Sequence, residues 1–411
     1  MDKPDIFQLR LDRFVYGGDL MGRLPDGRVV FVPFGLPGEL VSVEAAEVKN
    51  RYIKGVVVEI LEASPARIQP KCPHFGVCGG CHYQHLAYEK QVALKAELLR
   101  DQLTRIGGFE NPEIYTGNVP EQPWNYRNAI QFHLGKHNKP GFMTAHTSSV
   151  IEITECHLPE TPLNDFWPVL DVEPFPGLER IELRAGSDES VMMIFESSTL
   201  DLPSMTIEQP VSAVNLSPAG SIIIAGDDFL NYEIHDRVFH VSAGSFFQVN
   251  THMAEKMVDE INQNLEIRSS DIVLDLYCGV GLFSAFLAPK CRELIGIEVS
   301  PSACSDFVLN MDEYDHVSLY ESPAEKVLPA LKIKPDVVLV DPPRAGLSPV
   351  VVDYLVQMKP REIAYVSCDP STLARDLSRL VRGGYLVNLT KLFDLFPQTS
   401  SIESITYLSL K

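Results

Sequence analysis

From about residue 245 onward, short apolar runs alternate regularly with helical stretches. The apolar runs have the length and β-branched content of buried strands, and they cover residues 272–276, 294–298, 317–320, 336–341 and 363–367. Helical stretches between them include 301–312, 349–358 and 371–381. This alternation predicts an α/β domain with a parallel sheet covered on both faces. Because parallel strands end at one edge, we expect a ligand crevice there.

A glycine motif follows the first of these strands. It reads Asp275-Leu-Tyr-Cys-Gly-Val-Gly281 and opens a helix, where glycines allow the backbone to approach a ligand closely. It is not the Gly-x-Gly-x-x-Gly fingerprint of dinucleotide binding; it resembles the first motif of class I methyltransferases, with NAD binding as the alternative. Glu298 ends the second strand, where an acid accepts hydrogen bonds from ribose hydroxyls; a surface glutamate is the other interpretation.

Two further motifs follow later strands of the same sheet. Asp341-Pro-Pro-Arg-Ala-Gly346 is stiffened by successive prolines. In Ser367-Cys368-Asp-Pro-Ser-Thr372 the cysteine directly precedes a helix, whose dipole is expected to lower the thiol pKa. Cys368 is therefore a candidate nucleophile, and a buried core thiol is the alternative. The remaining cysteines of this domain, at 278, 291 and 304, are interpreted as core thiols.

A nucleophile of this kind suits methylation of carbon 5 of uracil. Thiolate addition at carbon 6 turns the unreactive ring into an enolate, whose carbon 5 attacks an electrophilic methyl group. A base must then remove the proton from carbon 5, and Glu403 is the candidate.

The rest of the chain predicts two further domains. Strand-like runs at 6–11, 28–32, 40–43 and 52–60, separated by glycine and proline turns, predict an OB-like β-barrel over residues 1–62. Such barrels often bind oligonucleotides, although a purely structural barrel would give the same pattern. A helical pattern at 85–106 and a strand-rich region at 110–240 predict a central α+β domain over residues 63–240. The α/β domain then covers residues 241–411.

Three cysteines cluster at the start of the central domain, and a fourth follows later. Cys72, Cys78 and Cys81 have five and two residues between them, and Cys156 is the distant partner. A disulfide framework is not expected in a long chain without a secretion signal. Four thiolates of this kind bind either zinc or an iron–sulfur cluster, and their spacing does not choose between the two.

The charge distribution leaves room for a nucleic-acid partner. A net charge of −20 by itself disfavours phosphate contacts. The acidity is regional, however, since residues 151–240 carry 17 acidic side chains and three arginines, while residues 1–110 carry 14 of each sign. No run approaches the roughly 18 apolar residues of a membrane span, and residues 1–5 do not resemble a signal peptide. We expect a cytoplasmic protein without membrane contact.

Several motifs together resemble the RNA 5-methyluridine methyltransferase family in order and spacing. They are the two loops after the later strands, the glycine motif, Phe246-Phe-Gln-Val-Asn250 and Asp394-Leu-Phe-Pro-Gln-Thr399. The first 60 residues resemble the TRAM domain that many members carry. The resemblance implies a Rossmann-like class I methyltransferase domain, S-adenosylmethionine as cofactor and RNA as partner.

The resemblance also assigns roles to individual residues. The positions that contact S-adenosylmethionine in the family are Gln248, Tyr277, Glu298 and Asp341 here. Cys368 falls on the nucleophile and Glu403 on the base. Cys72, Cys78, Cys81 and Cys156 fall on the ligands of a four-iron four-sulfur cluster. Two positions depart from the family, which often has Asn where Leu282 stands and His-His where Ser400 and Ser401 stand.

The resemblance therefore predicts an RNA (uracil-5-)-methyltransferase, expected as a monomer, with 23S ribosomal RNA favoured over transfer RNA as its substrate. The alternatives are the same chemistry on a transfer RNA, an inactive RNA-binding iron–sulfur protein, and a redox enzyme that uses the cluster. A cytosine-5 methyltransferase is a nearer rival, but RNA enzymes of that class usually carry a second cysteine in a Pro-Cys motif, which the Asp341 loop lacks.

Overall fold

The structure, a computed structural model, describes residues 6–145, 149–170, 172–203 and 210–411. Residues 1–5, on which the expectation of no signal peptide rests, lie outside these ranges. None of the helices in the described ranges combines the length and apolar character needed to cross a membrane.

The N-terminal strands form a closed barrel in the order β1-β2-β3-β5-β4. They are β1 (Ile6–Phe14), β2 (Leu20–Arg23), β3 (Val29–Val32), β4 (Leu40–Val48) and β5 (Tyr52–Glu62). Alternate side chains such as Leu9, Leu11 and Val43 fill the interior, as the period of a strand requires. The predicted small barrel is thus confirmed, and β2 is a strand that the sequence pattern missed.

One long helix follows the cysteine-containing segment. Helix α1 (Tyr88–Arg105) corresponds to the helical pattern at 85–106. Its leucines, Leu98, Leu99 and Leu103, pack against the C-terminal domain. The next strand, β6 (Tyr115–Asn118), joins the edge of the C-terminal sheet and not the central one.

The central region is a seven-stranded sheet in the order β13-β12-β11-β10-β7-β8-β9. Its strands are β7 (Ala129–Leu134), β8 (Pro140–Met143), β9 (Val150–Glu152), β10 (Leu178–Ala185), β11 (Val191–Ser197), β12 (Val211–Ser217) and β13 (Gly220–Ala225). Helix α2 (Thr161–Phe166) and a short 3₁₀ helix (Trp167–Val169) pack against it. A hairpin, β14 (Phe229–Ile234) and β15 (Arg237–Ser242), then leads to helix α3 (Thr251–Asn264).

The C-terminal domain is built on an eight-stranded sheet in the order β18-β17-β16-β19-β20-β22-β21-β6. Its own strands are β16 (Ile272–Leu276), β17 (Glu293–Glu298), β18 (Val317–Glu321), β19 (Val337–Val340), β20 (Glu362–Ser367), β21 (Tyr385–Phe393) and β22 (Glu403–Leu410). Its helices are α4 (Ser284–Leu287), α5 (Pro301–Asn310), α6 (Ala324–Ala330), α7 (Pro349–Met358) and α8 (Pro370–Arg382), with a 3₁₀ turn at Ala288–Lys290.

Three of these helices begin with the same local signal. Proline stands at the first helical position of α5, α7 and α8, and the residue before it accepts a hydrogen bond from a backbone N–H of the first turn. These caps are Ser300, Ser348 and Asp369. At the first helical position, proline lacks only an N–H that would have no partner in the helix. Each pair of capping residue and proline therefore fixes the residue at which the loop after a strand becomes a helix.

The prediction of a wholly parallel sheet is wrong in one respect. Strands β18, β17, β16, β19 and β20 are parallel, but β22 runs antiparallel to both β20 and β21. No helix separates β21 from β22, and a parallel pair would need such a crossover. As a result, the start of β22 lies at the edge where β20 ends.

Candidate active site

The glycine motif after β16 forms a tight loop at the carboxyl edge of the sheet. Tyr277 and Gly281 adopt positive φ angles of 63° and 91°. A Cβ on Gly281 would lie 3.0 Å from the ring of Phe307, so a larger residue would force the loop outward. The Tyr277 N–H donates to the carbonyl of Ile297 (2.8 Å), which ties the loop to the end of β17.

Three carboxyl groups surround this loop. Asp275 is buried, and its Oδ2 accepts a hydrogen bond from Ser284 Oγ (2.6 Å). Glu298 accepts hydrogen bonds from the N–H groups of Gly279 (3.0 Å) and Val299 (2.7 Å). Burial raises the pKa of Asp275 to about 7, assisted by the charges of Asp341 and Glu298. Burial also raises the pKa of Asp341 to about 7.

This crevice suits a ligand that carries positive charge and hydrogen-bond donors. The Oδ1 atom of Asp275 is buried and has no hydrogen-bond partner among the described residues. A buried carboxylate with a raised pKa is stabilised by a nearby cation. The sulfonium, ammonium and ribose hydroxyl groups of S-adenosylmethionine are of this kind, so the residues fit that cofactor. Leu282, where a polar contact is common in the family, is buried in the apolar core.

Gln248 lies away from the strand ends, on the segment between β15 and α3. The Asn128 side chain donates to its carbonyl (3.0 Å), and the Asn128 N–H donates to the carbonyl of Val249 (2.9 Å). The Asn250 side chain donates to the carbonyl of Leu395 (3.2 Å). The segment is therefore fixed between the central sheet and the loop that leads to Glu403.

Cys368 and Glu403 lie side by side. The antiparallel register pairs Ser367 at the end of β20 with Ser404 near the start of β22. Cys368 and Glu403 are the next residues beyond this pair, and the charge of Glu403 acts on the Cys368 thiol, so the two lie close together. Cys368 is half-buried, whereas Glu403 is almost fully buried. The antiparallel strand brings together two residues from separate sequence motifs.

The expectation of a lowered thiol pKa at Cys368 is wrong. Burial raises the pKa of Cys368 to about 12, and the charges of Glu403 and Asp341 add to the effect, against an opposing contribution from Arg344. The carboxylate of Asp369 already occupies the N–H groups that begin α8, accepting from Ser371 (2.8 Å) and Thr372 (3.0 Å). The N–H groups at the start of α8 are therefore satisfied by the Asp369 cap and do not act mainly on the thiol.

Glu403 is the first residue of β22, and the loop before it is anchored by the buried ion pair between Lys95 and Asp394. Burial raises the pKa of Glu403 well above its usual range, and the charge of Asp341 adds to the effect, while Arg344 and Lys95 oppose it. Lys95 of α1 donates to Asp394 (2.7 Å) and to the carbonyl of Phe396 (2.9 Å), and both charged side chains are fully buried. The loop from β21 to Glu403 is therefore anchored to a helix far away in the chain.

Two polar residues near the pair escaped the sequence analysis. Arg344, in the Asp-Pro-Pro-Arg motif, is the cation that lowers the pKa of both Cys368 and Glu403. The Thr372 hydroxyl donates to the carbonyl of Arg344 (3.1 Å) and so links the two loops. The motif itself was recognised, but nothing in its spacing indicated which way Arg344 points.

The four cysteines of the central domain line one cavity of about 650 Å³, together with Arg127. Their thiols interact: Cys78 and Cys156 raise the pKa of Cys81, and Cys72 raises the pKa of Cys78 and Cys156, in each case after the larger effect of burial. Within the described ranges, no three His, Cys, Asp or Glu side chains converge closely enough to hold a single metal ion. All eight cysteines have free thiols.

Two family models match the chain. The model described as tRNA (uracil-5-)-methyltransferase covers residues 211–411, and the model of the TRAM domain covers residues 10–58. Full-length relatives are described as uncharacterized RNA methyltransferases. The one from Aquifex aeolicus is 34% identical, covering 100% of this chain and 99% of the relative. The one from Halalkalibacterium halodurans is 31% identical, covering 100% and 98%.

A solved structure is similar over the whole chain. It is the tRNA (uracil-54, C5)-methyltransferase of Pyrococcus abyssi in complex with S-adenosyl-L-homocysteine. The two proteins share 26% sequence identity and superpose with a TM-score of 0.73, covering 98% of this chain and 100% of the other. The similarity thus extends across the barrel, the central region and the C-terminal domain.

Proposed function

Because the chain belongs to the RNA (uracil-5-)-methyltransferase family, we propose that it methylates its uridine through a covalent bond between Cys368 and carbon 6 of the uracil. The observation that carries this proposal is the position of Cys368 beside Glu403, at the same sheet edge as the carboxyl groups that suit S-adenosylmethionine. The nucleophile adds to carbon 6 of the uracil and the base removes the proton from carbon 5 of the same ring, so the two residues must lie close together.

The chemistry divides between the two residues. S-adenosylmethionine supplies an electrophilic methyl group on a sulfonium. Cys368 loses its proton to water, which its half-exposed position permits, and its sulfur then bonds to carbon 6 while the ring electrons move to oxygen 4. Carbon 5 takes the methyl group. Glu403 then accepts the carbon 5 proton, the carbon 5–carbon 6 double bond reforms, and the thiolate leaves.

The charges around the pair suit both steps. Arg344 stabilises the thiolate of Cys368 and the carboxylate of Glu403. Burial makes the carboxylate of Glu403 a stronger base than an exposed one, because its charged form is poorly solvated. An inactive RNA-binding protein would not need a thiol and a carboxyl group in this arrangement. The target base must also leave its stack, since the thiolate approaches carbon 6 from one face of the ring.

We propose 23S ribosomal RNA as the substrate. The support is the combination of a TRAM domain with a cysteine cluster, which is commoner among family members that act on large-subunit ribosomal RNA. Transfer RNA is the second candidate, and one observation favours it: the solved structure that is similar over the whole chain is a transfer RNA enzyme.

Nucleoside mass spectrometry on a strain that lacks the gene separates these substrates. We expect 5-methyluridine to decrease in purified 23S ribosomal RNA and to return when the gene is restored on a plasmid. A decrease confined to transfer RNA would identify transfer RNA as the substrate instead. Unchanged 5-methyluridine in both pools would refute uracil-5 methylation as the function.

We also propose that Cys72, Cys78, Cys81 and Cys156 hold a four-iron four-sulfur cluster. Thiolates are the usual ligands of such clusters, and the four thiols line one cavity. In a cluster each of the four iron atoms binds one thiolate, whereas a single zinc ion binds all four thiolates. The support for the cluster over zinc is the family resemblance, because four thiolates serve either metal. When bound, it would crosslink the segment of the first three cysteines to that of Cys156.

Metal and sulfide analysis tests this assignment. Protein purified without oxygen should contain about four iron atoms and four sulfides per chain. Cys156→Ser should lower the iron content, whereas Cys291→Ser, which changes a half-buried thiol outside the cavity, should not. Stoichiometric zinc without sulfide would contradict the cluster.

A further inference from the structure

One turn of the N-terminal barrel reaches into the methyltransferase domain. The turn joins β1 to β2, spans residues 15–19 and is closed by the Val15 N–H donating to the carbonyl of Asp19 (2.8 Å). Phe14, just before it, packs edge-on against Tyr83 with ring centroids 5.5 Å apart. Phe14 and Tyr16 both pack against the apolar core of the C-terminal domain. The turn is therefore part of a domain contact and is not a free loop of the barrel.

Tyr16 contacts the residue that follows the nucleophile. Its hydroxyl donates to Oδ2 of Asp369 (3.0 Å). The other carboxylate oxygen of Asp369 accepts the N–H groups of Ser371 and Thr372 and so caps α8. Both oxygens of the residue next to Cys368 are thus engaged, one by the helix and one by the barrel.

Gly18, in the same turn, contacts the loop that precedes the base. A Cβ at this position would lie 2.9 Å from the ring of His82 and 3.1 Å from Cβ of Ser400. The Ser400 N–H in turn donates to Nδ1 of His82 (3.4 Å). Ser400 stands three residues before Glu403. The close approach of Gly18 to the His82 ring and the Ser400 side chain therefore limits where that loop lies.

We propose that the β1–β2 turn positions both halves of the methyl-transfer site, with Tyr16 orienting the Cys368 loop and Gly18 setting the position of the loop before Glu403. The proposal rests on the proposed roles of Cys368 and Glu403. It gives the barrel a function beyond RNA binding. When the turn is displaced, the loops of Cys368 and Glu403 each lose one contact that positions them.

The hydroxyl of Tyr16 affects Cys368 through the charge of Asp369. The charged groups that act on the thiol are Asp341 and Arg344 on the loop after β19 and Glu403 on β22, while Asp369 on the thiol's own loop and the thiol itself act on Tyr16 of the turn. Without the hydroxyl, Oδ2 of Asp369 loses its donor while Oδ1 still caps α8, so the negative charge beside the Cys368 loop is less well compensated. A less compensated negative charge near the thiol disfavours the thiolate.

Tyr16→Phe removes only this hydroxyl and provides the first test. We expect kcat to fall about tenfold, the loss appropriate to one hydrogen bond to a charged group, with KM for RNA nearly unchanged. Iodoacetamide alkylation of the Cys368 peptide, followed by mass spectrometry between about pH 7 and pH 9, should slow in parallel. Loosening of the structure would instead speed alkylation. Tyr52→Phe, on β5 of the same barrel, is the matched control and should leave kcat unchanged.

Two neighbouring glycines provide the second test. Gly17 and Gly18 have similar φ angles of 104° and 100°, but a Cβ on Gly17 meets nothing within 4 Å. Both alanine variants therefore incur a similar strain from their positive φ angles, and only Gly18→Ala presses on His82 and Ser400. We expect Gly18→Ala to slow release of the covalent RNA adduct by about tenfold or more beyond Gly17→Ala.

These outcomes distinguish the inference from the function on which it rests. If Tyr16→Phe changes only KM for RNA, or if the two glycine variants behave alike, the turn is not a positioning element. If Cys368→Ala retains transfer, the covalent mechanism itself is wrong, whatever the turn does. Thermal unfolding of each variant identifies one that has lost its fold; the remaining variant then decides the proposal.

Discussion

Cys368→Ala should abolish methyl transfer, with a loss of about 10⁴-fold or more, because carbon 5 of uracil stays unreactive without addition at carbon 6. Binding of S-adenosylmethionine should persist, since the groups suited to it lie on the preceding strands and the substitution removes one half-buried sulfur. The measurements are transfer of labelled methyl to RNA under single-turnover conditions and calorimetric titration with the cofactor.

The matched control is Cys291→Ala. Cys291 is also half-buried, but it precedes β17 and so lies toward the opposite edge of the sheet from Cys368. This variant should transfer methyl at the wild-type rate. If Cys368→Ala kept more than about a hundredth of the wild-type rate, direct attack by carbon 5 would replace the covalent mechanism. If it lost cofactor binding as well, the experiment would report a damaged crevice, and Cys368→Ser would have to show the same loss of transfer with binding intact.

The parts of the fold that depend on local sequence were predictable. Strand–helix alternation, the glycine motif and proline after a capping residue each act within one turn or strand, and the five parallel strands follow from them. The antiparallel β22 and the addition of β6 were not predictable in this way. Strand β6 begins at residue 115 and pairs with β21, so its partner is set by tertiary packing and not by its own pattern.

The residues of the site also divide into those that local sequence predicts and those that only tertiary packing brings in. Asp275 and Glu298 lie at the ends of their strands, and Asp341 and Cys368 directly follow theirs, so one topological rule places all four at one edge. Tyr16 could not be found in this way, because it stands 353 positions before Asp369, to which it donates. The raised pKa of Cys368 also escaped, since the helix dipole is a local effect whereas burial and the two neighbouring carboxyl groups arise only on folding. The predicted domain limits and the roles of the site residues stay predictions.

Glu403→Gln should trap the RNA on the protein. The amide has nearly the same shape as the carboxyl group but cannot accept the carbon 5 proton, so the reaction should stop after the methyl group has moved. Release of RNA should slow by about 10²- to 10⁴-fold, the usual contribution of a positioned base. The variant should fold normally, because a neutral amide at this buried position avoids the cost of burying a charge, the same cost that raises the pKa of Glu403. The adduct would appear as labelled RNA that migrates with the protein on a denaturing gel.

The composition of the trapped species decides what stopped the reaction. Digestion of the adduct should give a Cys368 peptide linked to a uridine that already carries the new methyl group. The double variant Cys368→Ala, Glu403→Gln should form no adduct, which ties the bond to that sulfur. An adduct without the methyl group would mean that Glu403 acts after the thiolate has added but before methyl transfer. Absence of both adduct and methylated RNA would mean that Glu403 acts before addition, for example on the thiol proton of Cys368. Free methylated RNA at the wild-type rate would assign the proton to another acceptor, and Asp341, whose pKa of about 7 lies near neutrality and whose charge acts on both residues, would be the next group to replace.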